Sequence, residues 1–139
     1  MERLKLVSIG IVAAVAASTT SVAQRPSVFA QLAPGYWEFT GVPGAKAPVR
    51  QCLSDVTVLG RFEHRAHVCT QRITSSDQSS TVIDYSCGGS GFGHSKVDLI
   101  TPRSLRIDTQ GISARLPFNY VLQARRVGDC PSAGRTPRH

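Results

Sequence analysis

Three histidines are the first residues in this chain that could do chemistry. His64 and His67 in "EHRAH" stand three apart, so a helical turn would place both rings on one face, within reach of one metal ion. Glu63 and His94 are the residues that could complete such a site, and its chemistry would be that of a small metal-dependent hydrolase. The plainer reading has His67 beginning a strand and His64 in a weak helical segment, with no third ligand anchored and no metal held. The second candidate is "CGGSGFGH", residues 87–94, with four glycines in six residues and Ser90 among them. A nucleophile elbow needs G-x-S-x-G and a strand-to-helix turn, but Phe92 stands where its last glycine should be. A phosphate loop needs a following Lys-Ser/Thr, which is absent. A dinucleotide fingerprint needs a βαβ unit, and this loop lies between two antiparallel strands. The third candidate is aromatic. Trp37, Phe39, Phe118 and Tyr120, with Phe92 at the mouth, could line a ligand pocket inside a curled sheet. The same residues could equally be plain core.

What these side chains can do depends on the elements that hold them. Residues 67–88, "HVCTQRITSSDQSSTVIDYSCG", read as two β-prone runs around a polar turn. Folded about Gln78, Cys69 faces Cys87, Gln71 faces Tyr85 and Ile73 faces Ile83 on one side. Arg72 meets Asp84, Thr70 meets Ser86 and Thr74 meets Val82 on the other. Such cross-strand pairs each add about 0.2–1 kcal/mol, and a slip of one residue would lose them all. The register therefore predicts a Cys69–Cys87 disulfide and leaves Cys52 to Cys130. Loop entropy suggests about 3 kcal/mol from the short bridge and about 4.5 kcal/mol from the long one.

The same logic folds "SKVDLITPRSLRID" about Pro102. Leu99 then faces Leu105 and Val97 faces Ile107, while Asp98 faces Arg106 and Lys96 faces Asp108. "ISARLPFNYVLQA" alternates, putting Ile112, Ala114, Leu116, Phe118, Tyr120, Leu122 and Ala124 inward. Pro117 lacks a ladder donor and implies an edge, a bulge or a break into two strands. "GYWEFTGV" places Trp37 and Phe39 on one face, and "VRQCL" reads as another short strand. Ser54 could cap a short helix, of two turns at most, through Val56, Leu59 and Phe62. The expected fold class is mainly β. It is a single antiparallel meander of six to eight strands in sequence order, curled into a half-barrel or compact sheet, with at most one short helix and two disulfides.

Compartment follows from the N-terminus. Residues 1–23 combine a basic start, a short apolar run and small residues before Ala23, the pattern of a secretory signal peptide. Twelve apolar residues are too few for a membrane span of about 20. Cleavage is expected after Ala23, with Ala30 as a second choice. No cysteine precedes Cys52, so the expected product is not a lipoprotein. Residues 24–31 then read as a linker, 32–130 as the disulfide-stabilised β domain and 131–139 as a disordered tail. Four cysteines in an exported chain fit two structural bridges.

Removing residues 1–23 leaves 14 basic and 8 acidic residues, and twelve of the basic ones are arginine. Lipopolysaccharide or phospholipid is the anionic surface such a charge could bind, while codon bias toward arginine is the plainer cause. No aromatics interleave with the arginines, so nucleic acid is not an expected partner.

A signal peptide, "PGYWEF", four cysteines, "SCGGSGFG" and a closing "RRVGDC" together resemble an exported proteobacterial family, the domain of unknown function numbered thirty-six seventeen. Pro34, Gly35, Trp37, the cysteines, and Gly128, Asp129 and Cys130 carry the resemblance, over residues 32–130. It implies the periplasm of a Gram-negative bacterium and brings no activity, cofactor or catalytic residue with it. The reading that results is a monomeric, non-catalytic domain without a cofactor or mature transmembrane segment, binding a small ligand or an envelope component. The hydrolase and the anionic-surface binder stand as its alternatives.

Overall fold

The computed structural model describes residues 16–17 and 26–132. The expected signal peptide, apart from residues 16–17, and residues 133–139 of the expected tail lie outside the described residues. Seven antiparallel strands form one open sheet: β1 (Gly35–Thr40), β2 (Val49–Leu53), β3 (Thr70–Ser76), β4 (Ser80–Ser86), β5 (Gly91–Thr101), β6 (Ser104–Ser113) and β7 (Leu116–Gly128). Their spatial order is β2-β1-β7-β6-β5-β4-β3, so β2 and β3 are the two edges. The meander runs in sequence order from β3 to β7. The β1–β2 hairpin departs from that order and docks against the far side of β7. Trp37 and Phe39 explain this, because they need the same covered face that β7 supplies through Leu122 and Ala124.

Both disulfides pair as the strand registers require, Cys69 with Cys87 and Cys52 with Cys130. The β3–β4 register follows the expected pairs from Thr70↔Ser86 to Ile73↔Ile83. It then shifts. Thr74 is an extra, bulged residue, and Val82 pairs with Ser75 rather than Thr74. The cause is the turn, where Asp77 Oδ1 accepts from Ser79 N at 2.7 Å and Ser80 N at 2.8 Å, closing the hairpin one residue later. Strand β3 is exposed along its whole length. Gln71 and Ile73 therefore overhang the core instead of entering it.

In β5–β6 every expected facing pair is present. The ions nevertheless pair along each strand: Lys96 with Asp98 at 3.2 Å and Arg106 with Asp108 at 3.0 Å. Residues two apart on one strand share a face, so a long side chain can reach either neighbour.

The run from Ile112 to Ala124 is broken into two strands at Ala114 and Arg115. Both have left-handed backbone, with φ of 48° and 68°. This two-residue reversal sets Ile112 opposite Pro117. Ile112 thus lies on the face away from Phe118, not beside it. Ala114 and Leu116 are exposed at the tip.

A 3-10 segment, Val56–His64, covers the inner face, packing on β5 and β6 and carrying the chain from edge β2 to edge β3. The short helix expected here is present as a 3-10 segment, bent at Arg61 (φ −138°). Its cap is Asp55, not Ser54; Asp55 Oδ1 accepts from Thr57 N at 2.9 Å. Leu59 and Phe62 enter the core, where Phe62 packs on Phe39 with ring centroids 4.6 Å apart. Residues 26–31 are not a linker. Val28 is fully buried, Phe29–Gln31 form a 3-10 turn, and Gln31 donates to Gln78 O at 2.7 Å.

Arginines do much of the internal bonding. Arg61 Nη1 donates to the carbonyls of His64, Arg65 and His67, holding the β2–β3 crossing in place. Arg65 donates to Gln51 and lies 4.2 Å from the Phe62 ring centroid. Arg50 and Arg125 both grip Glu38, whose carboxyl is held below its ordinary range chiefly by the hydrogen bond from Arg50.

Candidate functional site

The sheet separates the histidines. His64 sits beneath the inner face, 1% exposed. Its Nε2 lies 3.0 Å from Ser90 O, a carbonyl that can only accept, so Nε2 carries the proton. Its Nδ1, 3.2 Å from the Tyr85 hydroxyl, is then the acceptor. Burial pushes the Tyr85 hydroxyl up to about 12. Both nitrogens of His64 are therefore spent on the protein. His67 is exposed beside it, with ring centroids 5.8 Å apart, and His94 points out from the opposite face. Glu63 accepts instead from the Tyr120 hydroxyl at 2.7 Å, and burial together with that carboxylate raises Tyr120 above its usual value. Among the described residues no group of three His, Cys, Asp or Glu side chains could hold a metal. His64, His67 and His94 are thus not brought together, because the sheet lies between His94 and the other two.

The glycine-rich loop makes room for this buried histidine. A Cβ on Gly91 would meet Ile112 O and come within 2.8 Å of His64 Nε2, and its φ of +128° suits glycine alone. A Cβ on Gly93 would strike the Tyr85 ring. Ser90 contributes its carbonyl; its hydroxyl has no acid–base partner among the described residues.

The outer face is different. Strand pairing aligns Asp84, His94, Gln110 and Asn119 in one row across β4, β5, β6 and β7. Phe92, Ile112 and Pro117 form the next row toward the sheet end. An open cleft of about 480 Å³, lined by Asp84, Phe92, Gly93, His94, Gln110, Gly111, Ile112, Phe118 and Asn119, lies over both rows, a size within the roughly 300–1,000 Å³ of small-ligand sites. Asp84 Oδ1 is 2.6 Å from His94 Nδ1, which orients the ring and leaves Nε2 without a protein partner among the described residues. Arg72 stands 3.8 Å behind the carboxylate.

Of the aromatic candidates, Phe92 and Phe118 line this cleft. Phe92 remains 55% exposed. Trp37 and Phe39 are core, with Trp37 Nε1 donating to Ala33 O at 3.2 Å, and Tyr120 is tied to Glu63. The cleft lies on the outer face, not within the curl of the sheet. Asp84, Gln110, Ile112 and Asn119 were not singled out by sequence reasoning. The signal that could have found them is the β4–β5 and β6–β7 registers, which align one outward row across four strands.

No protein-family model, curated protein or solved structure matches the chain. The chain is an open, single-sheet antiparallel β protein with two disulfides and a cleft on its outer face.

Proposed function

We propose that this is an exported, periplasmic, non-catalytic domain of the exported family it resembles, and that it binds a small amphipathic ligand on its outer face. The observation that carries this is the cleft itself, where an exposed phenylalanine and an isoleucine adjoin a row of four polar side chains. An exposed apolar patch rimmed by polar groups is the ordinary signature of a binding groove. Two structural disulfides agree with export. The arginines do not favour an anionic-surface binder. Five of them, Arg50, Arg72, Arg106, Arg125 and Arg126, have carboxylate partners, and Arg61 and Arg65 bond to the crossing.

The test uses protein recovered from the periplasm, with N-phenyl-1-naphthylamine as a fluorescent apolar probe. Its N-terminus should read from Gln24. Probe fluorescence should rise saturably with the native protein and fall with Phe92→Ala at unchanged melting temperature. Equal titrations for both proteins would remove the cleft from consideration.

A further inference from the structure

A second, smaller cleft, about 240 Å³, adjoins the first and is lined by His94, Lys96, Asp108, Thr109, Gln110 and Asn119. Three residues, His94, Gln110 and Asn119, belong to both. The outer face thus changes along β5 from apolar at Phe92, through His94, to charged at Lys96. At about 3.4 Å per residue this gradient runs roughly 14 Å.

At the polar end the carboxylates are already paired, while several side-chain donors are not. Asp108 takes two bonds from Arg106, at 3.0 and 3.1 Å. Asp98 is paired with Lys96 at 3.2 Å, and Asp84 with His94 at 2.6 Å. Each carboxylate facing the groove therefore already has a partner. The amides of Gln110 and Asn119 and the remaining N–H bonds of Lys96 have no protein acceptor among the described residues. A cationic head would find no free carboxylate, whereas an anionic head would find several donors.

Resting on the reading of this groove as a ligand site, we infer that its ligand is a single-chain amphiphile with an anionic head, a fatty-acid carboxylate. The chain lies over Phe92 and Ile112, and the carboxylate lies among Lys96, Gln110, Asn119 and His94. Asp84 holds the His94 ring through Nδ1, so Nε2 is the nitrogen left toward the groove. The charged groups around that ring are Asp84 on β4, Arg72 on β3, Lys96 on β5 and Asp108 on β6.

Calorimetric titration of the full chain with dodecanoate, dodecanol and dodecyltrimethylammonium tests this. Dodecanoate should bind about fivefold more tightly than dodecanol, the scale of one exposed ion pair, and the cation should bind most weakly. Lys96→Met should abolish that preference while keeping dodecanol affinity, and Phe92→Ala should weaken both ligands alike. Equal binding of dodecanoate and dodecanol, or tighter binding of the cation, would overturn the anionic head and leave the groove standing. No binding of any of the three would overturn the groove as well.

Discussion

His64 and His94 lie on opposite faces of the same sheet and are held in opposite ways. His64 is buried, with one nitrogen donating to Ser90 O and the other accepting from Tyr85. His94 is fixed through one nitrogen by Asp84 and is half exposed. A histidine with both nitrogens bonded to its own protein is part of the framework. A histidine oriented through one nitrogen is prepared for something else. Sequence spacing drew attention first to the H-x-x-H pair, His64 and His67, and named His94 only as a residue that could complete their site.

The contrast can be broken experimentally, most severely at its inner side. Gly91→Ala should destabilise the fold by about 2–4 kcal/mol, because a methyl there meets backbone and the backbone is left-handed. Chemical denaturation measures it, and a loss under 1 kcal/mol would mean that His64 and β6 can move aside. His64→Ala should cost about 3 kcal/mol, combining a cavity with an orphaned Tyr85 hydroxyl. His64→Gln, which keeps a donor and an acceptor, should recover part of that.

The two faces should also fail at opposite ends of the pH scale. Tyr85 has a raised folded value, so its contribution is complete below about pH 10 and lost as pH climbs toward about 12. On the outer face Arg106 lowers Asp108 and Arg50 lowers Glu38. Their contributions are complete above about pH 4.5 and lost as pH falls below it. Melting temperatures from pH 2 to 12 should be flat between these limits, with Tyr85→Phe lowering the plateau and removing the Tyr85 share of the alkaline limb. The smallest effect belongs to His94→Ala, which should alter stability by no more than about 0.5 kcal/mol, since its ion pair is exposed. A larger loss would make His94 a framework residue like His64 and erase the contrast.

The strands were legible because their charges, isoleucines and cysteines agree on one register per hairpin. Both disulfides followed from that agreement. Less legible were features set by non-neighbouring strands or by backbone turns. Thr74 bulges because Asp77 closes a particular turn. Ile112 changes face because Ala114 and Arg115 adopt a left-handed reversal that neither residue type advertises. Val28 looked like linker because the residues around it, from Gln24 to Gln31, carry no strand pattern. The groove was the least legible part. It forms only once β4 pairs with β5 and β6 with β7, and facing residues within one hairpin do not specify the row across four strands.

The placement of β1 beside β7 also imposes an order in time. As the chain emerges from its N-terminus, β1 and β2 wait for a neighbour more than 70 residues downstream, and Cys52 waits for Cys130, 78 residues on. Meanwhile Cys69 and Cys87, only 18 apart, can close as soon as their hairpin forms. Long-range pairing of this kind slows folding and leaves early surfaces uncovered. Trp37 and Phe39 would be the exposed apolar pair during that wait, and Cys52 the thiol most open to a wrong partner. Oxidative refolding should therefore pass through a species bridged only at Cys69–Cys87, with the open hairpin of β1 and β2 as its sticky end.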